Sequence, residues 1–422
     1  MTVRLSRRDT LLRTAAVAAA GLIPGAIVPG LAAPLRTSPG GGEIDAILQA
    51  RVDAADVPGV VAMAATGQSV IYQGAFGARS MGASARMSAD TVFSIASMTK
   101  LLTSVAALQL VERGKLKLDE PAAAIDPTLG SPQVLDGFDA KGAPQLRAAR
   151  KPITLRHLLT HTSGLSYQLW DTNVVRYGKA SRNDPALPRT PLISDPDTRW
   201  AYGGSLDRVG QLVEIVSGQT LDRYFRDHIL APLGMNDTGF SLTEGQRARQ
   251  ASLHLRKADG ALVPQPLVKR SEPNVFSGGG GICSTAPDYL TLLQALLNGG
   301  ALAGNSILRP QTVALMSTNQ IGNLDAGILK TTNPALSDNV DFFPGVRLRW
   351  GLGDMINIDP VPDGRRAGSL TWAGLYNTYY WIDPASRIAG VIMMQILPFS
   401  DRRALNVYRL FERGIYRAHK AA

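Results

Sequence analysis

Ser97 and Lys100 stand three residues apart in FSIASMTKLLTS, residues 93–104, and form the only Ser-x-x-Lys pair in the chain. On a helix, positions i and i+3 share a face, so this hydroxyl and this amine can come within contact range. A serine is a weak nucleophile until a neighbour takes its proton, and lysine is one of the partners that acyl-transfer sites use. An ordinary lysine is protonated at neutral pH and cannot act as that base. The apolar stretch after Lys100 and the positive end of a helix dipole both disfavour the ammonium, which predicts a lowered lysine pKa. Composition alone could supply one such pair, so its meaning rests on what surrounds it.

Further residues carry chemistry of their own. Tyr202 lies in RWAYGGSLDRVG, just before Gly203 and Gly204 and ahead of a helix that Ser205 could cap, which puts its phenol on a loop. Trp372 in TWAG, residues 371–374, reads as a strand aromatic. The glycines 278–281, Gly280 among them, suit a flexible loop or a close backbone approach to a pocket. His157 and His161 are four apart, as metal ligands on a helix are, but no Glu lies between them and no third ligand is near, so no metal is expected. No G-x-S-x-G pentapeptide occurs, which disfavours a nucleophile elbow. Cys283 is the sole cysteine, which excludes an intrachain disulfide; it reads as a small buried hydrophobe rather than a nucleophile.

Taken in order, FSIASMTK, HTSGL at 161–165, Tyr202, SGGGGICSTAPDYL at 277–290 and TWAG resemble the serine β-lactamase and penicillin-binding protein superfamily. Within it the likeness is greatest to class C β-lactamases and family VIII carboxylesterases, and it runs from about residue 43 to the C-terminus. The resemblance implies that Ser97 is the acylating nucleophile, Lys100 its partner and Tyr202 a proton shuttle. It implies an oxyanion hole from the backbone N–H groups of Ser97 and Leu375, each such donor stabilising the transition state by about 3 kcal/mol. It places Trp372, Gly374 and Gly280 beside the substrate and His161 as the support of a nearby loop, and it calls for no cofactor. Two departures bear on substrate. Trp372 stands where lactamases carry a strand lysine, and no asparagine follows two residues after Tyr202. Both losses leave a lactam's carboxylate or amide unmatched, so the resemblance tilts towards neutral small-molecule esters.

These groups need a scaffold, and the sequence supplies its parts. GEIDAILQARVDAA has apolar residues near helical spacing, and GVVAMAATGQSVIYQGAFG reads as two strands joined at Thr66-Gly67-Gln68. KLLTSVAALQLVERGK is apolar on nearly every side, which predicts a buried helix stopped by Gly114. Residues 126–345 alternate Pro/Gly-rich loops with helix signals that end at glycine. Strands return in RLRWGLGDMINI and in LYNTYYWIDPASRIAGVIMMQ, the latter turning at residues 383–386, before a terminal helix. The expected fold is α/β (α+β): an antiparallel sheet flanked by helices, built from 43–125 plus 346–422, with a mainly helical domain, 126–345, inserted.

The whole chain sets outer limits. With 422 residues, 45% of them apolar, it can bury a large core. Arg7 and Arg8 precede a short alanine-rich apolar run, so residues 1–33 read as a Tat-type export signal and the protein as periplasmic, with no stable membrane insertion once the signal is removed. Removing that segment would lower the net charge from +10 to +7, and the remaining charge is scattered, which argues against nucleic acid. The expected function is hydrolysis of carboxylic esters through an acyl-enzyme on Ser97. Its rivals are a β-lactamase or D-alanyl-D-alanine carboxypeptidase, acyl transfer to a small alcohol or amine, and, in another class, a non-catalytic peptidoglycan-binding envelope protein.

Overall fold

Two stretches from opposite ends of the sequence build one seven-stranded antiparallel sheet. The first supplies β1 (Gly59–Thr66) and β2 (Val70–Gly77). The second supplies β3 (Leu348–Trp350), β4 (Met355–Asn357), β5 (Leu370–Gly374), β6 (Thr378–Asp383) and β7 (Ile388–Met393). The order is β3-β4-β5-β6-β7-β1-β2, and β1 joins the two ends by pairing Val61 with Met393 and Thr66 with Ile388. These features come from a computed structural model that describes residues 41–184, 187–267 and 275–421; the expected export signal lies outside them. No helix among the described residues is long and apolar enough to cross a membrane.

Helices cover both faces of the sheet. α1 (Gly41–Asp53), α4 (Ala286–Leu297) and α5 (Arg402–Ala421) lie against it, while α2 (Thr99–Glu112) and α3 (Ser205–Ser217) pack on each other. In β6, Trp381 packs against Phe411 of α5, while its neighbour Tyr380 packs against Tyr289 of α4. Successive strand side chains point to opposite faces, so α4 and α5 lie on opposite sides. This explains why every residue of β6 and β7 is buried and why TYYWID and IAGVIM read as apolar runs rather than alternating patterns. In α2 every residue from Thr99 to Leu110 is buried, as its all-round apolar sequence predicts. One hydrophobic core runs from Ile44 to Tyr416 and includes residues of the middle segment such as Leu206, Leu212 and Tyr224.

The middle segment also carries short hairpins that its loop-like sequence did not announce, Gln133–Phe138 with Pro144–Ala148 and His254–Arg256 with Leu262–Pro264. The first turns where Asp139 accepts from the N–H groups of Lys141 and Ala143. Local side-chain bonding of this kind sets a turn without any long apolar run.

Behind the sheet, between β3 and β4, lies a buried acid. Asp354 is fully buried, accepts a hydrogen bond from the Tyr380 hydroxyl, and has no partner for its second oxygen. Burial pushes its pKa up to about 7, against the partial relief of that bond. An unfolded aspartate titrates near 4, so between pH 4 and 7 the folded state binds the extra proton and this group's contribution to stability is lost as pH rises. The effect is on the order of a few kcal/mol. Asp354→Asn removes it. The melting temperature of the variant minus that of the wild type is therefore expected to rise by a few degrees from pH 5 to pH 8 in scanning calorimetry, and a flat or falling difference would contradict the assignment.

Candidate active site

Three elements converge to fix Ser97. Residues Ala96–Met98 form a single 3-10 turn leading into α2, and Ala96 has φ of 44°, an uncommon value for a residue with a side chain. Such local strain persists only where the surroundings over-determine it. Here Phe93 and Ser94 pair with Ser284 and Cys283, the Ile95 N–H donates to the Ile282 carbonyl at 3.0 Å, and Tyr289 of α4 donates to the Met98 carbonyl at 2.9 Å. The end of β5 presses on the same turn: a Cβ at Gly374 would lie 2.3 Å from the Ile95 carbonyl oxygen. Cys283 is thus a buried strand residue opposite Ser94.

Lys100 projects from the first turn of α2 and is 1% exposed. Its Nζ donates to Ser97 Oγ at 3.2 Å and to the Gly279 carbonyl at 2.7 Å. It lies 4.9 Å from the centre of the Tyr202 ring and 5.5 Å from that of Tyr167. The lowered lysine pKa expected from the sequence is corrected here. Burial does pull it down, but Tyr167, Tyr202 and Asp207, with a hydrogen bond to Tyr202, outweigh that pull and raise the pKa above its ordinary value. Lys100 is therefore an ammonium at neutral pH. The expectation counted the apolar helix and its dipole but not the oxygen acceptors gathered from distant loops.

Tyr202 is 5% exposed, and its hydroxyl accepts a hydrogen bond from the Trp372 indole N–H at 3.0 Å. Its ring also packs on Trp372 and on His161, with centroids 4.8 and 4.7 Å away. His161 is fully buried, accepts from the Gly203 N–H at 3.4 Å through Nδ1, and takes the Ala201 N–H on its carbonyl at 2.8 Å, so it clasps the loop that carries Tyr202. Burial, with the Lys100 charge adding, keeps its pKa well below the usual histidine value. His157 points elsewhere, closing a capping box with Thr154. Among the described residues no group of three or more His, Cys, Asp and Glu side chains could hold a metal ion. Ser205 does not cap α3; it is the first helical residue, and its hydroxyl bonds that of Ser163 at 2.9 Å.

The glycine run meets α3 from the other side. A Cβ at Gly278 would lie 2.2 Å from the Leu206 carbonyl oxygen, a contact only glycine permits, and the Gly278 carbonyl accepts from Thr103 of α2 at 2.7 Å. Two residues absent from the sequence reading tie this loop down. Asp207 of α3 accepts hydrogen bonds from the Gly279 N–H at 3.1 Å, the Ser277 hydroxyl, and the Tyr167 hydroxyl at 3.1 Å.

A cavity of about 480 Å³ opens above Ser97, with Tyr202, Gly280, Trp372 and Leu375 in its wall. Gly374, expected beside the substrate, is not among the lining residues; its role is the close packing of β5 against Ile95. Trp372 both lines the cavity and donates to Tyr202, which an apolar-wall reading did not foresee. Leu169, Trp170, Ile282, Tyr376 and Phe399 make the remaining wall largely apolar, and no lining side chain carries a charge. The arrangement can hold a neutral carbonyl compound against a hydroxyl that receives a hydrogen bond from a buried ammonium.

Residues 44–413 match the family described as Beta-lactamase. The monacolin J acid methylbutanoyltransferase of Aspergillus terreus is 33% identical over 399 residues, covering 86% of this chain and 93% of that protein. The lovastatin esterase of Penicillium rubens is 31% identical over 401 residues, covering 90% of this chain and 99% of that one. A solved structure of a mutant simvastatin synthase from Aspergillus terreus superposes with a TM-score of 0.80 at 32% identity, covering 91% of this chain and 100% of that chain. In sequence span and in fold, this chain belongs to the β-lactamase family.

Proposed function

We propose that the protein is a serine esterase that works through an acyl-enzyme on Ser97. Ser97 Oγ attacks the ester carbonyl carbon; its proton passes to the Tyr202 hydroxyl, which hands its own proton to the ester's alkoxy oxygen, while the Lys100 ammonium stabilises the charge developing on Oγ. The carbonyl oxygen, now negative, is held by the backbone N–H groups of Ser97 and Leu375. The protonated alkoxy oxygen then leaves as the alcohol when its C–O bond breaks. Water enters and attacks the acyl carbon as its proton passes through the Tyr202 hydroxyl to Ser97 Oγ, and the acid leaves.

One observation carries the choice of ester: the cavity beside the Ser97–Lys100 contact has no charged wall, and Trp372, in place of a cation, spends its N–H on Tyr202. A carboxylate-bearing lactam would lose its water there without gaining a partner, at a cost of several kcal/mol. Hydrolysis of p-nitrophenyl butyrate and of nitrocefin by the same preparation tests this. The ester is expected to give a kcat/KM about 1000-fold higher, and a lactam rate above the ester rate would overturn the reading. A second reading, transfer of the acyl group to an alcohol instead of water, is favoured by the likeness to the methylbutanoyltransferase. Adding a small alcohol to the ester assay and measuring the new ester by mass spectrometry separates the two.

A further inference from the structure

The Ser97–Lys100–Tyr202 group leaves one well-connected carboxylate unused. Asp207 stands in the first turn of α3, five residues after Tyr202, and faces the glycine run rather than the cavity centre. One of its oxygens collects the Ser277 hydroxyl and the Gly279 N–H; the other receives the Tyr167 hydroxyl at 3.1 Å. The peptide carbonyl of that same Gly279 accepts Lys100 Nζ at 2.7 Å, a shorter bond than the 3.2 Å one to Ser97 Oγ. An unbroken path therefore runs from the Asp207 carboxylate through the Gly279 backbone to Lys100 and on to Ser97 Oγ. Tyr167 extends it to the cavity wall, because its ring lines the cavity and stands 5.5 Å from Lys100 Nζ.

Gly279 has no side chain to define its orientation, and a peptide flip there would remove the carbonyl from Lys100 and replace it with an N–H. That carbonyl belongs to the 279–280 peptide; Asp207 fixes the adjoining 278–279 peptide through the Gly279 N–H and the start of the loop through Ser277, which leaves less of the glycine run free to turn with it. We propose that Asp207 is a positioning residue for acylation: it locks the glycine run so that the Gly279 carbonyl aims Lys100 at Ser97, and it fixes Tyr167 as a rigid wall of the cavity. This rests on the acyl-enzyme reading above, and it adds that the precision of the Lys100–Ser97 contact is set from α3. A charge-assisted bond from a backbone N–H to a carboxylate is among the stronger devices for fixing a loop.

Active-site titration with p-nitrophenyl butyrate in rapid-mixing experiments distinguishes positioning from bulk stability. The burst amplitude counts competent sites, and the burst rate reports acylation in each of them. Asp207→Asn, which keeps shape and one acceptor but removes the charge and presents an amide N–H on the other side, is expected to lower the acylation rate about 10- to 100-fold while KM and amplitude stay near wild type. Asp207→Glu is expected to recover part of that loss. An unchanged acylation rate per competent site, with only amplitude or melting temperature reduced, would overturn the proposal. If Asp207→Asn yields no folded protein, Ser277→Ala decides: a slowed burst at full amplitude supports the lock, and a wild-type burst rate overturns it. A wild-type protein that shows no burst and no label on Ser97 from a fluorophosphonate probe would instead sink the acyl-enzyme reading itself.

Discussion

Ser97→Ala is expected to lower ester turnover by at least about 10⁴-fold while leaving the fold unchanged. The loss follows from chemistry: without Oγ no covalent bond can form, and neither Lys100 nor Tyr202 has another nucleophile to serve. The unchanged fold follows from structure. Ser97 is half-buried in a 3-10 turn whose backbone alanine can adopt, and the turn is held by Ile95, Met98 and Gly374 rather than by the serine side chain. Lys100 keeps its bond to the Gly279 carbonyl in the variant. Its melting temperature is therefore expected within about 2 °C of wild type, since the change amounts to well under 1 kcal/mol. Hydrolysis of p-nitrophenyl butyrate beside a thermal melt checks both halves, and residual activity within tenfold of wild type would show that the nucleophile lies elsewhere.

Lys100→Met separates catalysis from stability more sharply. The lysine is 1% exposed and remains charged, so folding must strip water from an ammonium. Methionine fills the same volume without that cost, though it leaves the Gly279 carbonyl without its donor, a penalty of about 1–3 kcal/mol. The two terms oppose each other, and net stability should change by no more than about 2 kcal/mol. Turnover should fall about 1000-fold, because the hydroxyl loses the cation that stabilises its developing negative charge. The measurement is kcat alongside chemical denaturation. A variant that unfolds readily yet retains kcat would mean that Lys100 is a structural cation and takes no part in catalysis.

Much of the scaffold was legible because its elements are long and strongly patterned. The all-round apolar run after Lys100, the hairpin turning at residues 383–386 and the helices stopped by Gly114, Gly218 and Gly234 all follow from periodicity and stop signals in the chain itself. Ser97 and Lys100 meet for the same reason: their spacing on one helix face requires nothing from elsewhere. The remaining contacts cross long separations. Trp372 reaches Tyr202 over 170 residues, and Gly279 reaches Lys100 over 179. No local pattern encodes such a bond, which is why Trp372 read as a wall rather than a donor and why Tyr167 and Asp207 went unread. The direction of the Lys100 shift failed for the same cause, because the groups that raise it lie on other loops. Gly374 shows the converse: the resemblance placed it beside the substrate, but the fold reveals that its near neighbour is the Ile95 carbonyl.

The most direct test is intact-protein mass spectrometry after exposure to a slowly deacylating p-nitrophenyl ester at reduced pH, followed by peptide mapping. The account predicts a single adduct of the acyl mass, confined to the peptide that contains Ser97 and absent from Ser97→Ala. An adduct on any other residue, or full ester turnover with the bond-forming role of Ser97 removed, would contradict it.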